Sequence, residues 1–160
     1  EWDKPIVTIS SNRSTHYYSD EVMNEQASAL GRAVSKAIEG SGKKVVLVAS
    51  HSLSHRHFVT EAPLPEDMSR EHIYNHSQYV WDMKVIDLMR DGKMQEFIDL
   101  MPEFTEQTMA ETEGGGLTWM MAAMCMPSYP AEIYGYQSVI GTGNVVACWD
   151  PNEETRELVL

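Results

Sequence analysis

The sequence predicts an α/β fold in which a mixed or parallel central sheet is flanked by helices. Residues 44–49 form a short valine-rich apolar run, which is typical of a strand buried on both faces. Residues 5–10 form a second strand-like run, and a helical pattern lies between the two runs. Strand, helix and strand in this order indicate a βαβ unit, from which α/β sheets are built.

The helix between these two runs is predicted over residues 20–39. Its apolar side chains recur at helical spacing, and they are Met23, Ala27, Leu30, Val34 and Ile38. Ser19 is a suitable cap for the amino terminus, while Gly40 and Gly42 lie where a helix would end. The pattern therefore predicts an amphipathic helix that packs one face on the sheet.

The second half of the chain is predicted to be mainly helical. A loop with two prolines, over residues 59–75, leads into this half. The apolar periodicity predicts helices over residues 77–90, 94–101, 102–112 and 117–126. Val80, Met83 and Ile86 are expected to face inward from the first of these helices.

Proline and glycine divide the second half into its elements. Pro102 is tolerated in the first turn of a helix, so a new helix is predicted to begin there. Three consecutive glycines, residues 114–116, interrupt the helical pattern. Residues 131–149 predict one or two strands, broken at residues 141–144. The acidic residues 151–160 are predicted to form a poorly ordered tail.

Composition and charge narrow the class of protein. A chain of 160 residues can form one domain with a substantial core. The formal net charge of −12 argues against partners such as nucleic acid or an anionic membrane surface. The absence of a run of about 18 apolar residues predicts that no segment spans a membrane. Cys125 and Cys148 lie in apolar contexts and are predicted to be buried free thiols, which favours a reducing, cytoplasmic location.

Three histidines follow the valine-rich run, at positions 51, 55 and 57. Ligands and catalytic groups of α/β proteins gather at the carboxyl ends of strands, so His51, His55 and His57 are candidate site residues. Their spacing is not that of the helical HExxH zinc motif. The residues alone leave three alternatives open, namely a metal site, an acid/base group and a solvated polar loop.

Glu111 and Glu113 stand immediately before the glycine run. Acidic residues are common in a chain with 24 aspartates and glutamates, but the carboxyl end of a helix disfavours them electrostatically. This mismatch is a weak indication of another role, and the glycines would permit close backbone approach beside a site. Residues 141–144 lack the third glycine and the following helix of a dinucleotide-binding fingerprint.

Residues 49–55, Ala-Ser-His-Ser-Leu-Ser-His, resemble the catalytic-histidine segment of the class III extradiol ring-cleaving dioxygenases, the protocatechuate 4,5-dioxygenase superfamily. Further segments resemble this family in the same order, and they are residues 65–69, 79–83, 110–111, 118–120, 130–132, 135–136 and 139–144. The resemblance extends over residues 4–149. It implies the α/β fold of that family.

The resemblance implies a non-haem Fe(II) enzyme whose iron is held by two histidines and one glutamate. By position, Glu111 corresponds to the glutamate ligand, and Glu113 is the alternative should the alignment slip across the glycines. His55 corresponds to the histidine that transfers protons beside the iron. The two histidine ligands have no counterpart in this chain. Residues 1–150 are therefore expected to be the carboxyl-terminal half of a catalytic domain, inactive by itself.

The implied reaction is the cleavage of an o-aminophenol or catechol ring by O2, giving a muconic semialdehyde or its amino analogue, in the degradation of aromatic compounds. The implied partners are a small aromatic substrate, O2 and a related subunit in a hetero-oligomer. Two alternatives stay open. The first is a non-catalytic partner subunit of such an enzyme, and the second is an independent metal-binding module that uses His51, His55 and His57.

Overall fold

The computed structural model describes residues 3–10, 17–55, 76–139 and 141–151. Within these ranges the chain forms helices, a short 3-10 turn and a β-hairpin. In chain order the elements are α1 (Asp20–Ser41), α2 (His76–Arg90), α3 (Met94–Thr108), the 3-10 turn (Glu111–Gly114), α4 (Gly115–Ala123), β1 (Glu132–Val139) and β2 (Thr142–Cys148). The predicted loop over residues 59–75 and nearly all of the predicted acidic tail lie outside the described residues.

Helix α1 confirms the predicted amphipathic helix and is two residues longer. The Ser19 side chain accepts a hydrogen bond from the Val22 N–H, and Gly42 ends the helix in a left-handed conformation with φ of 62°. The helix packs against α4 at Gly31, where a Cβ would overlap the backbone oxygen of Trp119. Glycine at this position therefore allows the two helices to approach closely.

The hydrophobic core lies between α2, α3 and α4. Its most deeply buried side chains are apolar, and they include Leu53, Val85, Ile86, Met89, Met94, Phe97, Met101, Phe104 and Met121. Four of these residues are methionines, whose flexible side chains fill irregular spaces between helices. The core includes Leu53, so it anchors the histidine-bearing segment as well as the helices.

The predicted strand region near the carboxyl end forms an antiparallel hairpin. Strand β1 pairs with β2 from Glu132 opposite Cys148 to Val139 opposite Thr142. A register irregularity lies between Ile133 and Gly135. Two strands are thus confirmed, although β2 begins at Thr142, inside the predicted break.

Residues 5–10 and 44–49, which were predicted to be strands, are not strands among the described residues, so the predicted βαβ unit and central sheet are not confirmed. Val46 is 84% exposed and Val48 is 74% exposed, so the valine-rich run is not buried on both faces. A strand requires a neighbour for its backbone hydrogen bonds, and neither run has one within the described part of the chain. Helices and strands are combined as predicted, but the sheet of the described residues is a two-stranded hairpin.

Helix α3 runs through Pro102 instead of ending before it. Proline removes a helical hydrogen bond, yet Phe97, Met101 and Phe104 on both sides of it are buried in the core. Burial of this face therefore outweighs the local cost and joins the two predicted helices into one. Helix α4 ends at Ala123, earlier than predicted.

Two predictions about burial also require correction. Val80 is 50% exposed rather than inward-facing, whereas Ile86 is buried as predicted. Cys125 and Cys148 are free thiols as predicted, but both are exposed because they lie beyond the end of α4 and at the end of β2. Among the described helices, none combines the length and apolar character needed to cross a membrane.

The α1–α4 contact predicts opposite effects for two glycines of the same helix. Gly31→Ala is expected to lower the free energy of unfolding by about 1–3 kcal/mol, because the added methyl group overlaps the α4 backbone. A Cβ at Gly40 has no atom within 4 Å. Gly40→Ala is therefore expected to raise the free energy of unfolding by up to about 1 kcal/mol, since alanine favours the helix. Urea denaturation of both variants checks this, and equal effects would contradict the packing described.

Candidate functional site

Residues 51–55, the site segment, lie between the β-hairpin and the 3-10 turn. The Leu53 N–H donates to the Gly143 carbonyl at 2.8 Å, and the Gly143 N–H donates to the Ser54 carbonyl at 2.9 Å. On the other side, the Glu111 N–H donates to the Leu53 carbonyl at 3.2 Å. Backbone hydrogen bonds therefore fix the site segment on two sides.

This arrangement brings His55 and Glu111 together from distant positions in the chain. The His55 Nε2 lies 4.0 Å from the Glu111 Oε1, and the two side chains are 27% and 28% exposed. The second carboxylate oxygen, Oε2, accepts a hydrogen bond from the Ser52 N–H. The imidazole and the carboxylate thus share one partly buried face.

The environment favours the ionised form of Glu111. Burial raises the pKa of this carboxyl group, but the Ser52 N–H and the nearby charge of His51 lower it, and the balance leaves the pKa below its ordinary value. An ionised carboxylate is a suitable oxygen ligand for a divalent metal ion. Glu111 therefore has the charge state that a ligand requires.

His51 forms a wall of the same site. Its Nε2 lies 3.4 Å from the Thr112 Oγ1, and burial lowers the pKa of its imidazole, an effect that the Glu111 charge opposes. A Cβ at Gly116 would overlap the His51 ring. Glycine at this position therefore leaves space for the ring, which is the close approach expected from the glycine run.

The 3-10 turn directs the two candidate glutamates to different places. Thr112, Glu113 and Gly114 all have left-handed backbone conformations, with φ of 44°, 48° and 74°. Such conformations are costly for residues other than glycine and are concentrated at functional sites. Glu113 lines an open cavity of about 530 Å³ with residues of α1 and α3, whereas Glu111 lies beside His55.

The remaining histidines do not complete a metal site in the described residues. His57 lies outside these residues, as do His16 and His72, and His76 stacks on Tyr79 at the start of α2. Within residues 3–10, 17–55, 76–139 and 141–151, no three histidine, cysteine or acidic side chains are placed to hold a metal ion. The hypothesis of a module built from His51, His55 and His57 is therefore not tested.

Asp82 is a buried residue of the site region that the sequence patterns did not single out. Its carboxylate, in the middle of α2, accepts hydrogen bonds from Ser54 and from the Tyr136 hydroxyl. Burial raises the pKa of Asp82, although these hydrogen bonds oppose the effect. A signal was present, because Gln78, Asp82 and Ile86 recur every four residues on the buried face.

Residues 14–147 match the family described as the catalytic LigB subunit of aromatic ring-opening dioxygenase. The chain therefore belongs to this family, the class III extradiol dioxygenases. The match covers the site segment, the 3-10 turn and the hairpin except for its last residue, Cys148. It confirms the resemblance seen in the sequence.

Two curated relatives are named for ring-cleaving activities. The chain is 49% identical over 150 residues to the 2-aminophenol 1,6-dioxygenase beta subunit of a Pseudomonas species, an alignment that covers 94% of the chain and 49% of the relative. It is 26% identical over 129 residues to the 3,4-dihydroxyphenylacetate 2,3-dioxygenase of Escherichia coli, covering 81% of the chain and 44% of that protein. The chain spans about half the length of these relatives.

The raised pKa of Asp82 predicts a specific pH dependence of stability. The folded protein binds a proton at Asp82 more tightly than the unfolded chain does. The stabilisation that comes from this protonated Asp82 is therefore fully present below the ordinary aspartate pKa of about 4. It is lost as the pH rises through the pKa that Asp82 has in the folded protein. The difference in unfolding free energy between the wild type and Asp82→Asn should thus shrink with rising pH. Urea titrations at several pH values measure it, and a constant difference would contradict this.

Proposed function

We propose that the chain forms part of the active site of a non-haem Fe(II) dioxygenase that cleaves an o-aminophenol or catechol ring outside its heteroatom pair. The observation that carries this proposal is the 4.0 Å approach of His55 to Glu111, in a chain of the ring-opening dioxygenase family. The product would be a muconic semialdehyde or its amino analogue. The 49% identity to a 2-aminophenol dioxygenase subunit favours an o-aminophenol as substrate.

The donor groups fit part of an iron site. Glu111 supplies a partly exposed, ionised carboxylate, which suits Fe(II) when combined with imidazole ligands. We propose that two histidine ligands come from a part of the protein beyond these 160 residues, and that residues 1–150 are the carboxyl-terminal half of its catalytic domain. When bound, Fe(II) would lower the pKa of the substrate hydroxyl and bring O2 beside the ring.

His55 is proposed to transfer protons to and from the substrate. Its Nε2 lies 4.0 Å from the Glu111 Oε1, which is beyond direct hydrogen-bond distance. A substrate bound beside Glu111 would therefore be within reach of the His55 imidazole. The backbone of His55 is fixed, because its N–H donates to the Thr108 carbonyl at 3.4 Å and because the residue forms an antiparallel β-bridge with Thr142 of β2. An imidazole can act as both base and acid near neutral pH, as ring opening requires.

The proposed enzyme contains a second, related subunit. The Pseudomonas relative is named a beta subunit, and such a name denotes one chain of a multi-subunit enzyme. Activity measurements should therefore use the complete subunit together with its partner. The 160 residues alone are expected to show no turnover.

Substitution of the two site residues should separate metal binding from proton transfer. In the complete enzyme, His55→Ala is expected to lower kcat by about 10²–10⁴-fold with iron content unchanged, because one acid/base group is lost. Glu111→Gln should lower the iron content itself, whereas Glu113→Gln, in a different cavity, should retain iron. Oxygen uptake with 2-aminophenol and iron analysis check this. Unchanged turnover in His55→Ala, or iron loss only in Glu113→Gln, would contradict the assignments.

Metal removal should abolish the reaction reversibly. Dialysis of the complete enzyme against a chelator is expected to stop O2 uptake, and Fe(II) added without air should restore it. Zn(II), which has no redox chemistry, is the matched control and should not restore activity. Full activity of the chelated enzyme would contradict an iron-dependent reaction.

A further inference from the structure

A buried polar cluster lies directly behind His55. We define the Asp82 cluster as Asp82, Ser54, Tyr136 and Gly143. Asp82 is fully buried and Ser54 is 2% exposed. A carboxylate removed from water costs free energy unless hydrogen bonds compensate it, and the Asp82 carboxylate accepts three of them, from the Ser54 N–H, the Ser54 hydroxyl and the Tyr136 hydroxyl.

The hydrogen bonds of the Asp82 cluster converge on Ser54. The Asp82 Oδ1 accepts from the Ser54 N–H at 3.0 Å, and Oδ2 accepts from the Ser54 hydroxyl at 2.7 Å. The Gly143 N–H lies 2.9 Å from the Ser54 carbonyl and 3.1 Å from its hydroxyl oxygen. The N–H, the carbonyl and the side chain of Ser54 are thus all engaged.

The Asp82 cluster also joins three elements at this point. Asp82 belongs to α2, and Tyr136 of β1 donates its hydroxyl hydrogen to the Asp82 Oδ2 at 2.7 Å. Gly143 belongs to β2, and a Cβ there would overlap the Asp82 carboxylate. The carboxylate therefore holds the helix, the hairpin and the site segment in one arrangement.

Ser54 immediately precedes His55, so the Asp82 cluster fixes the backbone position from which the His55 side chain extends. The Ser54 carbonyl belongs to the peptide group whose N–H is contributed by His55. That carbonyl is held by Gly143, and the N–H is held by Thr108. A rotation at Ser54 would therefore displace the His55 imidazole relative to Glu111.

We infer that Asp82 is a positioning residue, which acts through Ser54 to hold the His55 imidazole beside the Glu111 carboxylate. This inference rests on the proposed role of His55 in proton transfer. Misplacement of a reacting group by about 1 Å can cost about 10²-fold in rate. The alternative is that Asp82 only attaches α2 to the hairpin, in which case its effect would be independent of His55.

A double-mutant cycle in the complete, iron-loaded enzyme distinguishes these roles. Asp82→Asn keeps the size of the side chain but replaces the carboxylate, which accepts from the hydroxyls of Ser54 and Tyr136, with an amide. It is expected to lower kcat about 10–100-fold, with a change in KM of less than about 3-fold and iron content unchanged. In the His55→Ala background the same substitution should change single-turnover rates by less than about 2-fold, because the group it positions is absent.

A matched pair of tyrosines on β1 provides the second arm. Tyr136→Phe removes one hydrogen bond of the Asp82 cluster and should lower kcat about 2–10-fold, again only when His55 is present. Tyr134 is 62% exposed and donates to Glu132, so Tyr134→Phe should leave kcat unchanged. This arm decides the question if Asp82→Asn does not fold.

Equal losses of kcat with and without His55 would overturn the inference, and so would an unchanged kcat in Asp82→Asn. Failure of the proposed function is recognised separately, because it would appear as full activity of His55→Ala alone or as iron-independent turnover of the wild type. A loss of kcat confined to the His55-containing enzyme supports the positioning role.

Discussion

The backbone hydrogen bonds of Leu53 are the constraint on which the site depends. They tie the site segment to β2 through Gly143 and to the 3-10 turn through Glu111. Leu53 is itself buried in the helical core, so the same residue anchors the segment by apolar contact and by hydrogen bonds. The proximity of His55 and Glu111 follows from these hydrogen bonds, because the two residues are far apart in the sequence and local structure alone would not bring them together.

The site combines this rigid support with costly local features. The left-handed residues of the 3-10 turn and the buried carboxylate of Asp82 both oppose folding when considered alone. The apolar core beneath them, centred on residues such as Phe97 and Met121, compensates for these costs. Backbone strain of this kind is sustained only where well-packed surroundings permit one conformation.

The neighbouring ionisable groups of the candidate site have different electrostatic environments. The Ser52 N–H and a charge on His51 each lower the pKa of Glu111, although burial disfavours that charge on His51 and so weakens the second effect. Burial also raises the pKa of Asp82, so this second carboxyl group has a different environment from Glu111. The proposed division between a metal ligand, a proton-transfer group and a positioning group is consistent with these differences.

Local patterns in the sequence were sufficient for α1, α2 and the hairpin, because capping, apolar periodicity and glycine turns act over short distances. The residue pattern also contained the resemblance that singled out His55 and Glu111, and the family match confirmed that resemblance. Only the tertiary structure decided that residues 44–49 form no strand among the described residues, since strand pairing requires a distant partner. It alone placed Glu111 beside His55 and buried Asp82 against Ser54, because these placements depend on contacts between elements far apart in the chain.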